Sequence, residues 1–304
     1  MMEASLTKCF VHIGLPKTGT TVLQSHLFDG HPEIFSFVQP NWKKDPATHA
    51  LFRTLLGDPT MASEDVQSQC DRARAAGQTV VISDEALSFG EFMQRKAAIS
   101  GLETDHAATA RRLKAFLGDV QIFVFLRNQV DFLVSYQRQA MKRGFEPLRP
   151  LEAFIEDCDR QSNGRMSAAL DYIHLYESYA EVFGPENVHV YIYEHWKNRF
   201  GDLAAELAER LGIEPEAARA RVEGRRANIT KEGVRQLRSA PSWLMPALGR
   251  AERLRKRYGR FLPPPLRRWS RDLLTCHVPF PEVPEDTRAE VRGRFAETNR
   301  QLFD

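Results

Sequence analysis

The chain has 304 residues, 42% of them hydrophobic and 27% charged, which is enough apolar material for a sizeable core in one large domain or two small ones. With 42 basic against 40 acidic residues the net charge is only +2, which argues against a nucleic-acid binder by overall charge. Cys9, Cys70, Cys158 and Cys276 are scattered, with no CxxC or Cys/His cluster, so neither a zinc site nor a disulfide framework is expected, and reduced thiols in a cytoplasmic protein are.

In chain order, the first predicted strand is KCFVHI at 8–13, and the N-terminus before it lacks the basic and long apolar regions of a signal peptide. A glycine-bounded loop follows, then a helix, TVLQSHLFDG, ending at Gly30. The second strand is TVVIS at 79–83. AATARRLKAFLG reads as a helix ending at Gly118, and both glycines are expected as left-handed residues just past their helices. The third strand, DVQIFVFL at 119–126, leads into a helix, NQVDFLVSYQRQAMKRG. A further helix runs from a predicted N-cap at Ser167 to Gly184, and the fourth strand is NVHVYIY at 187–193.

These runs are rich in Val, Ile, Phe and Tyr with little alternation, as strands covered on both faces are. Strands alternating with helices predict an α/β fold: a three-layer sandwich with a central parallel sheet and a P-loop-like strand–loop–helix. From about residue 197 the pattern becomes helices and loops, with proline-stiffened connections at 261–265 and 278–286. A single domain over 1–304 is expected, with a core at about 7–200 and a helical C-terminal portion at about 201–304. No window approaches the ~20 apolar residues of a membrane span.

The first loop, GLPKTGTT at 14–21, nearly matches the nucleoside-triphosphate pattern G-x-x-x-x-G-K-[ST]. Gly14 and Gly19 keep the spacing and Thr21 the final hydroxyl. Thr20, however, stands where the lysine belongs, and the lysine is inside the loop as Lys17. Such a turn aims backbone N–H groups and a helix's positive end at an anion, with Lys17, Thr18, Thr20 and Thr21 as further donors. The third strand ends in Arg127, where an acidic metal ligand would serve a nucleotide triphosphatase, whereas the second is followed by Asp84 and Glu85, so a metal is disfavoured without being excluded. A sulfuryl group carries less negative charge than a γ-phosphate, which suits one lysine and a set of hydroxyls.

The segment IGLPKTGTT at 13–21 resembles the 5′-phosphosulfate loop of sulfotransferases that use 3′-phosphoadenosine 5′-phosphosulfate (PAPS). IFVFLRNQVDFLVSYQRQ at 122–139, about 105 residues on, resembles their second signature. The likeness is to the carbohydrate and bacterial-type branch. It implies that Pro16, Lys17, Thr18, Gly19, Thr20 and Thr21 hold the 5′-phosphate, and that Arg127 and Ser135 hold the 3′-phosphate. A guanidinium fork with a hydroxyl makes a good phosphate clamp. Gln129 stands where the family usually has proline. Tyr193, in a strand ending Tyr-Glu, is placed near the adenine, and Arg226 and Asn228, in a late loop, at the 3′-phosphate or adenine. The residues also suit structural roles: a core tyrosine at Tyr193, a serine bonded to its own backbone at Ser135, a helix cap at Thr230.

The resemblance implies direct transfer from PAPS, with PAP as product and no metal, to a hydroxyl or amine of a carbohydrate or small molecule, anionic acceptors included. Glu85 is the candidate base, with Asp84 its neighbouring rival, beside the first loop if the two strands are adjacent; both carboxylates also suit a helix cap. Residues 250–271 hold nine Arg/Lys and one acid, read as a solvated helix face, an anionic-acceptor site or a membrane-surface contact. The rival functions are a P-loop kinase or other NTPase acting on a small molecule, and a nucleotide-binding module without turnover.

Overall fold

A computed structural model of the chain describes residues 9–38, 45–56, 64–89, 105–143, 149–162, 165–225, 233–237, 245–258 and 261–303. Its elements are β1 (Cys9–Gly14), α1 (Thr21–Leu23, running into a π-helical turn at Gln24–Phe28), β2 (Ile34–Val38), α2 (Pro46–Leu55), α3 (Glu64–Ala75), β3 (Thr79–Ser83), α4 (Ala86–Phe89), α5 (His106–Leu117), β4 (Gln121–Leu126), α6 (Gln129–Arg143), α7 (Leu151–Ser162), α8 (Arg165–Ala169), α9 (Tyr172–Phe183) and β5 (Val188–Ile192). Then come α10 (Tyr193–Trp196), α11 (Phe200–Leu211), α12 (Pro215–Val222), β6 (Gly233–Leu237), α13 (Met245–Tyr258), α14 (Pro264–Leu274), β7 (Thr275–Pro279) and α15 (Glu285–Phe303).

The chain forms two compact units: Met1–Tyr136 with Leu151–Ile229 and Pro284–Asp304, and Gln137–Pro150 with Thr230–Val283. In the first, five strands make a parallel sheet in the order β2-β3-β1-β4-β5. The central strands are buried along their length, as their unbroken apolar sequences require. One face packs Phe10, Phe123, Phe125 and Tyr191 against Leu23 and Leu27 of the first helix and Leu203, Leu207 and Leu211 of α11. On the other, α9 lies against β4 and β5 and is backed by α5 and α15. This is the three-layer α/β arrangement that the sequence predicts.

The chain leaves β1 toward β3 on one side and β4 on the other, so the switch point of the sheet, where such folds hold ligands, lies at the end of β1. The first loop, the β3–α4 turn and the β4–α6 turn all meet there.

Several details differ from the sequence reading. A fifth strand, β2, pairs with β3. Its sequence, IFSFV, is short, sits at an edge and is only partly buried, and it carries a polar residue in mid-run. Ser167 lies inside α8, its hydroxyl donating to Asp159 (2.6 Å), and the cap of α9 is Asp171, which accepts from the His174 N–H (3.3 Å). Tyr193 opens α10 instead of closing the strand. Gly118 has positive φ (77°), but its ψ of −138° is not left-handed helical.

In the second unit β6 pairs antiparallel with β7, so this portion holds strands besides its helices α13 and α14. Cys9 and Cys70 are buried free thiols. Burial pushes Cys9 up to about 12 and Cys70 up to about 11, which keeps both protonated and unreactive. No described helix is long and apolar enough to cross a membrane.

Candidate active site

The loop between β1 and α1 is built from unusual backbone. Lys17 has φ of 73°, a left-handed value that costs a non-glycine residue about 1–2 kcal/mol, and Gly19 follows at 78°. Thr20 returns to the right-handed helical region (−58°, −20°). Alternation of this kind turns successive N–H groups toward one point, the geometry of an anion-binding nest.

Both glycines are sterically required. A Cβ on Gly14 would sit 2.9 Å from the Phe125 Cβ and 3.1 Å from the Phe125 carbonyl and from His12 Nε2. One on Gly19 would meet the Phe200 ring at 2.5 Å.

The threonines divide their work. Thr18 is buried and its hydroxyl donates to the Leu15 carbonyl (2.8 Å), stapling the loop to itself. Thr20, also buried, donates to Glu85 Oε1 (2.9 Å). Pro16, Lys17, Gly19 and Thr21 remain half-buried at the loop's surface.

Two further bonds tie the β3–α4 turn to this loop: the Asp84 N–H donates to the His12 carbonyl (3.2 Å), and the buried Ser88 hydroxyl donates to the Gly14 carbonyl (2.6 Å). The β1–β3 pairing and these contacts fix Glu85 beside the loop, as its place after the second predicted strand anticipates. Asp84 is buried, whereas Glu85 is half-exposed.

Below lies a polar cluster that sequence inspection misses. His12 Nδ1 and Ser83 Oγ are 2.6 Å apart, and Gln24 Nε2 donates to the same Ser83 oxygen (3.0 Å). Burial drives His12 down to about 3, so the imidazole is neutral and stays a structural strut. Its presence in an apolar strand was the available signal.

Across β1 lies β4, its direct partner. Arg127 Nη1 donates to the Lys17 carbonyl (2.8 Å), and the guanidinium lies over the Tyr193 ring at 4.7 Å. The Tyr172 hydroxyl, held well above its ordinary pKa by burial, donates to the Arg127 carbonyl (2.6 Å). Arg127 Nε is buried without a hydrogen-bond partner among the described residues.

Asn128 caps α6, its side chain accepting from the N–H groups of Val130 (3.1 Å) and Asp131 (3.3 Å), and its own N–H is held by Glu194 (3.2 Å). This cap replaces the preset first turn that a proline at Gln129 would provide. Tyr193 in turn faces Phe200 (ring centroids 6.5 Å), the residue packed on Gly19. Lys17, Arg127, Tyr193, Phe200 and Gly19 thus form one continuous wall. The role of Phe200 was not legible, since nothing in its surroundings in sequence marks it.

Ser135 is half-buried on α6, two turns beyond Asn128 and on the same face, and no described contact joins it to the loop. Arg226 and Asn228 lie outside the described residues.

Residues 8–242 match the sequence profile described as the sulfotransferase domain. Among solved structures, the chain is similar to a sulfotransferase from Alicyclobacillus acidocaldarius, with 22% identity over 68% of this chain and 81% of that one, at a TM-score of 0.47. It is also similar to the sulfotransferase domain from the curacin biosynthetic pathway, with 14% identity over 70% of this chain and 77% of that one, at a TM-score of 0.40. No curated protein matches it. A profile match that spans well over half of the sequence and includes the loop and both turns just described shows that this chain belongs to the sulfotransferase domain family.

Proposed function

We propose that the chain transfers a sulfuryl group from PAPS to a hydroxyl or amine of an acceptor, a carbohydrate or other small molecule. The observation that carries the donor assignment is Arg127: a guanidinium braced by the Lys17 carbonyl and the Tyr193 ring, with a buried Nε donor left over. That leftover donor, the convergent N–H groups of the loop and the ammonium of Lys17 are the complement of a nucleotide with phosphate at both ends of its ribose.

When bound, PAPS supplies the phosphosulfate anhydride and hence the transferable group. The loop N–H groups, Lys17 and Thr21 hold the 5′-phosphate, and Pro16, Thr18, Gly19 and Thr20 give the loop its shape. Arg127 and Ser135 take the 3′-phosphate, Tyr193 bounds the adenine side, and Arg226 and Asn228 are assigned to the 3′-phosphate or adenine. Glu85 accepts the proton of the acceptor. Its Oε1 accepts from the Thr20 hydroxyl, which orients the carboxylate for that transfer.

Passage of the sulfuryl group to the acceptor's oxygen or nitrogen would leave negative charge on the phosphate held by the loop. Lys17 stabilises the charge that develops there. Removing such a donor costs roughly 3–4 kcal/mol of transition-state stabilisation.

Incubation with ³⁵S-labelled PAPS and fractionated cell extract tests the reading: label enters at least one acceptor fraction with the intact chain and not with Lys17→Ala. Absence of transfer to any fraction, with nucleotide binding intact, would favour a binding module without turnover.

A further inference from the structure

The second unit exposes apolar side chains that a water-facing surface does not need. On α14, Leu266, Trp269 and Leu273 recur at i, i+3 and i+7, so they share one face, and all are more than half exposed, Trp269 at 63%. Arg267 and Arg268 stand on the opposite face. On α13, Leu254 and Tyr258 are one turn apart and also exposed, continuing a stripe that starts with Ala247 and Ala251. Phe261, between the two helices, is the most exposed of the set at 72%. Arg250, Arg253 and Arg257 flank the α13 stripe, and all are exposed.

We propose that these exposed apolar side chains dock on an anionic phospholipid surface, with α14 lying in the plane of the interface. The charge pattern selects that occupant. A second copy of the chain would bring the same arginines face to face in a two-fold interface, which like-charge repulsion disfavours. An acidic polysaccharide would satisfy the arginines and could stack on the aromatic rings, yet would leave Leu254, Leu266 and Leu273 in water. A lipid interface satisfies both: acyl chains accept the apolar stripe and anionic headgroups meet the arginines around it. At 11 residues, α14 is about 16 Å long, half of what a bilayer crossing requires, so it rests on the membrane and does not span it. The proposal stands independently of the donor nucleotide.

The test is co-sedimentation of the full chain with vesicles of phosphatidylcholine alone and of phosphatidylcholine with 40% phosphatidylglycerol. Binding to the anionic vesicles should be at least tenfold stronger and should fall steeply between about 50 and 300 mM salt. Trp269→Glu, at an exposed position that the fold does not depend on, should weaken it tenfold or more. The conservative Trp269→Phe should keep the binding while lowering the tryptophan quenching by brominated lipids by the share that Trp269 contributes among the four tryptophans. Absence of binding at low salt, binding unaffected by Trp269→Glu, retention on heparin without retention on vesicles, or a dimer in solution that Trp269→Glu dissolves would each overturn the proposal.

Discussion

Arg127 donates from Nη1 to the carbonyl of Lys17 at 2.8 Å, and Lys17 is the one non-glycine residue with positive φ among those described. The two residues are 110 positions apart, yet the second signature of the sequence braces the strained residue of the first. The strain is sustained because its surroundings over-determine it, as is usual for a backbone shaped before its ligand arrives.

Replacing Arg127 by Lys keeps the charge and removes the forked geometry. The bond to Lys17 and the stacking on Tyr193 should both suffer, lowering the stability of the ligand-free chain by about 1–3 kcal/mol. Urea denaturation checks the magnitude. Faster hydrogen exchange in residues 15–20 of the variant should accompany it, with β3 unchanged.

Glu85 and Thr20 should separate chemistry from binding. Glu85→Gln preserves shape and the acceptor oxygen for Thr20 but cannot take a proton. It should lower kcat by ~10²–10⁴ while nucleotide affinity changes less than threefold. Thr20→Val leaves the carboxylate but loosens its orientation, so a smaller loss, about tenfold, is expected. Single-turnover rates beside calorimetric titrations measure both.

Gly19 and Phe200 make a steric pair. Gly19→Ala adds about 1–2 kcal/mol for its positive φ, and its methyl overlaps the ring of Phe200. Pairing it with Phe200→Leu should recover the overlap share and leave the backbone share. A double-mutant cycle by thermal denaturation therefore should show a coupling energy of at least 0.5 kcal/mol.

Acid should destabilise the fold through two buried histidines. Burial lowers His12 to about 3 and His106 to about 4, the latter with help from the charge of neighbouring His174, whereas in the unfolded chain each takes up a proton near 6.5. Below pH 6.5 the unfolded state therefore binds more protons, and stability is lost as pH falls, by ~1.4 kcal/mol per pH unit for each histidine. The loss levels off once pH passes below about 4 for His106 and about 3 for His12. His106→Gln should make the decline between pH 6 and 4.5 shallower, as read from urea midpoints.

The parts of this molecule legible in sequence are those with a strong local cause. The continuous apolar runs of β1, β3 and β4 marked them as interior strands, the similar run of β5 belongs to a partly buried strand at the sheet's edge, and the glycine spacing of the loop marked the turn. β2 was not legible because its burial comes from pairing with β3 and not from its own pattern. β6 and β7 were missed for a similar reason, each being a short run whose partner lies about 40 residues away.

At the site, the order of motifs indicated that Glu85 and Arg127 belong near the loop. It could not show that β4 pairs directly with β1, that Thr18 and Thr20 spend their hydroxyls on the protein itself, or that Phe200 closes the wall against Gly19. Those are tertiary facts, created when distant segments meet.

One titration bears most directly on the donor. Calorimetry with PAP, 5′-AMP and ATP, each with and without Mg²⁺, compares nucleotides that differ in the ribose 3′-phosphate and in the length of the 5′ chain. PAP should bind at least tenfold more tightly than 5′-AMP without any metal, and Arg127→Ala should abolish that preference. Equal affinity for PAP and 5′-AMP, or tighter binding of ATP with Mg²⁺, would contradict it.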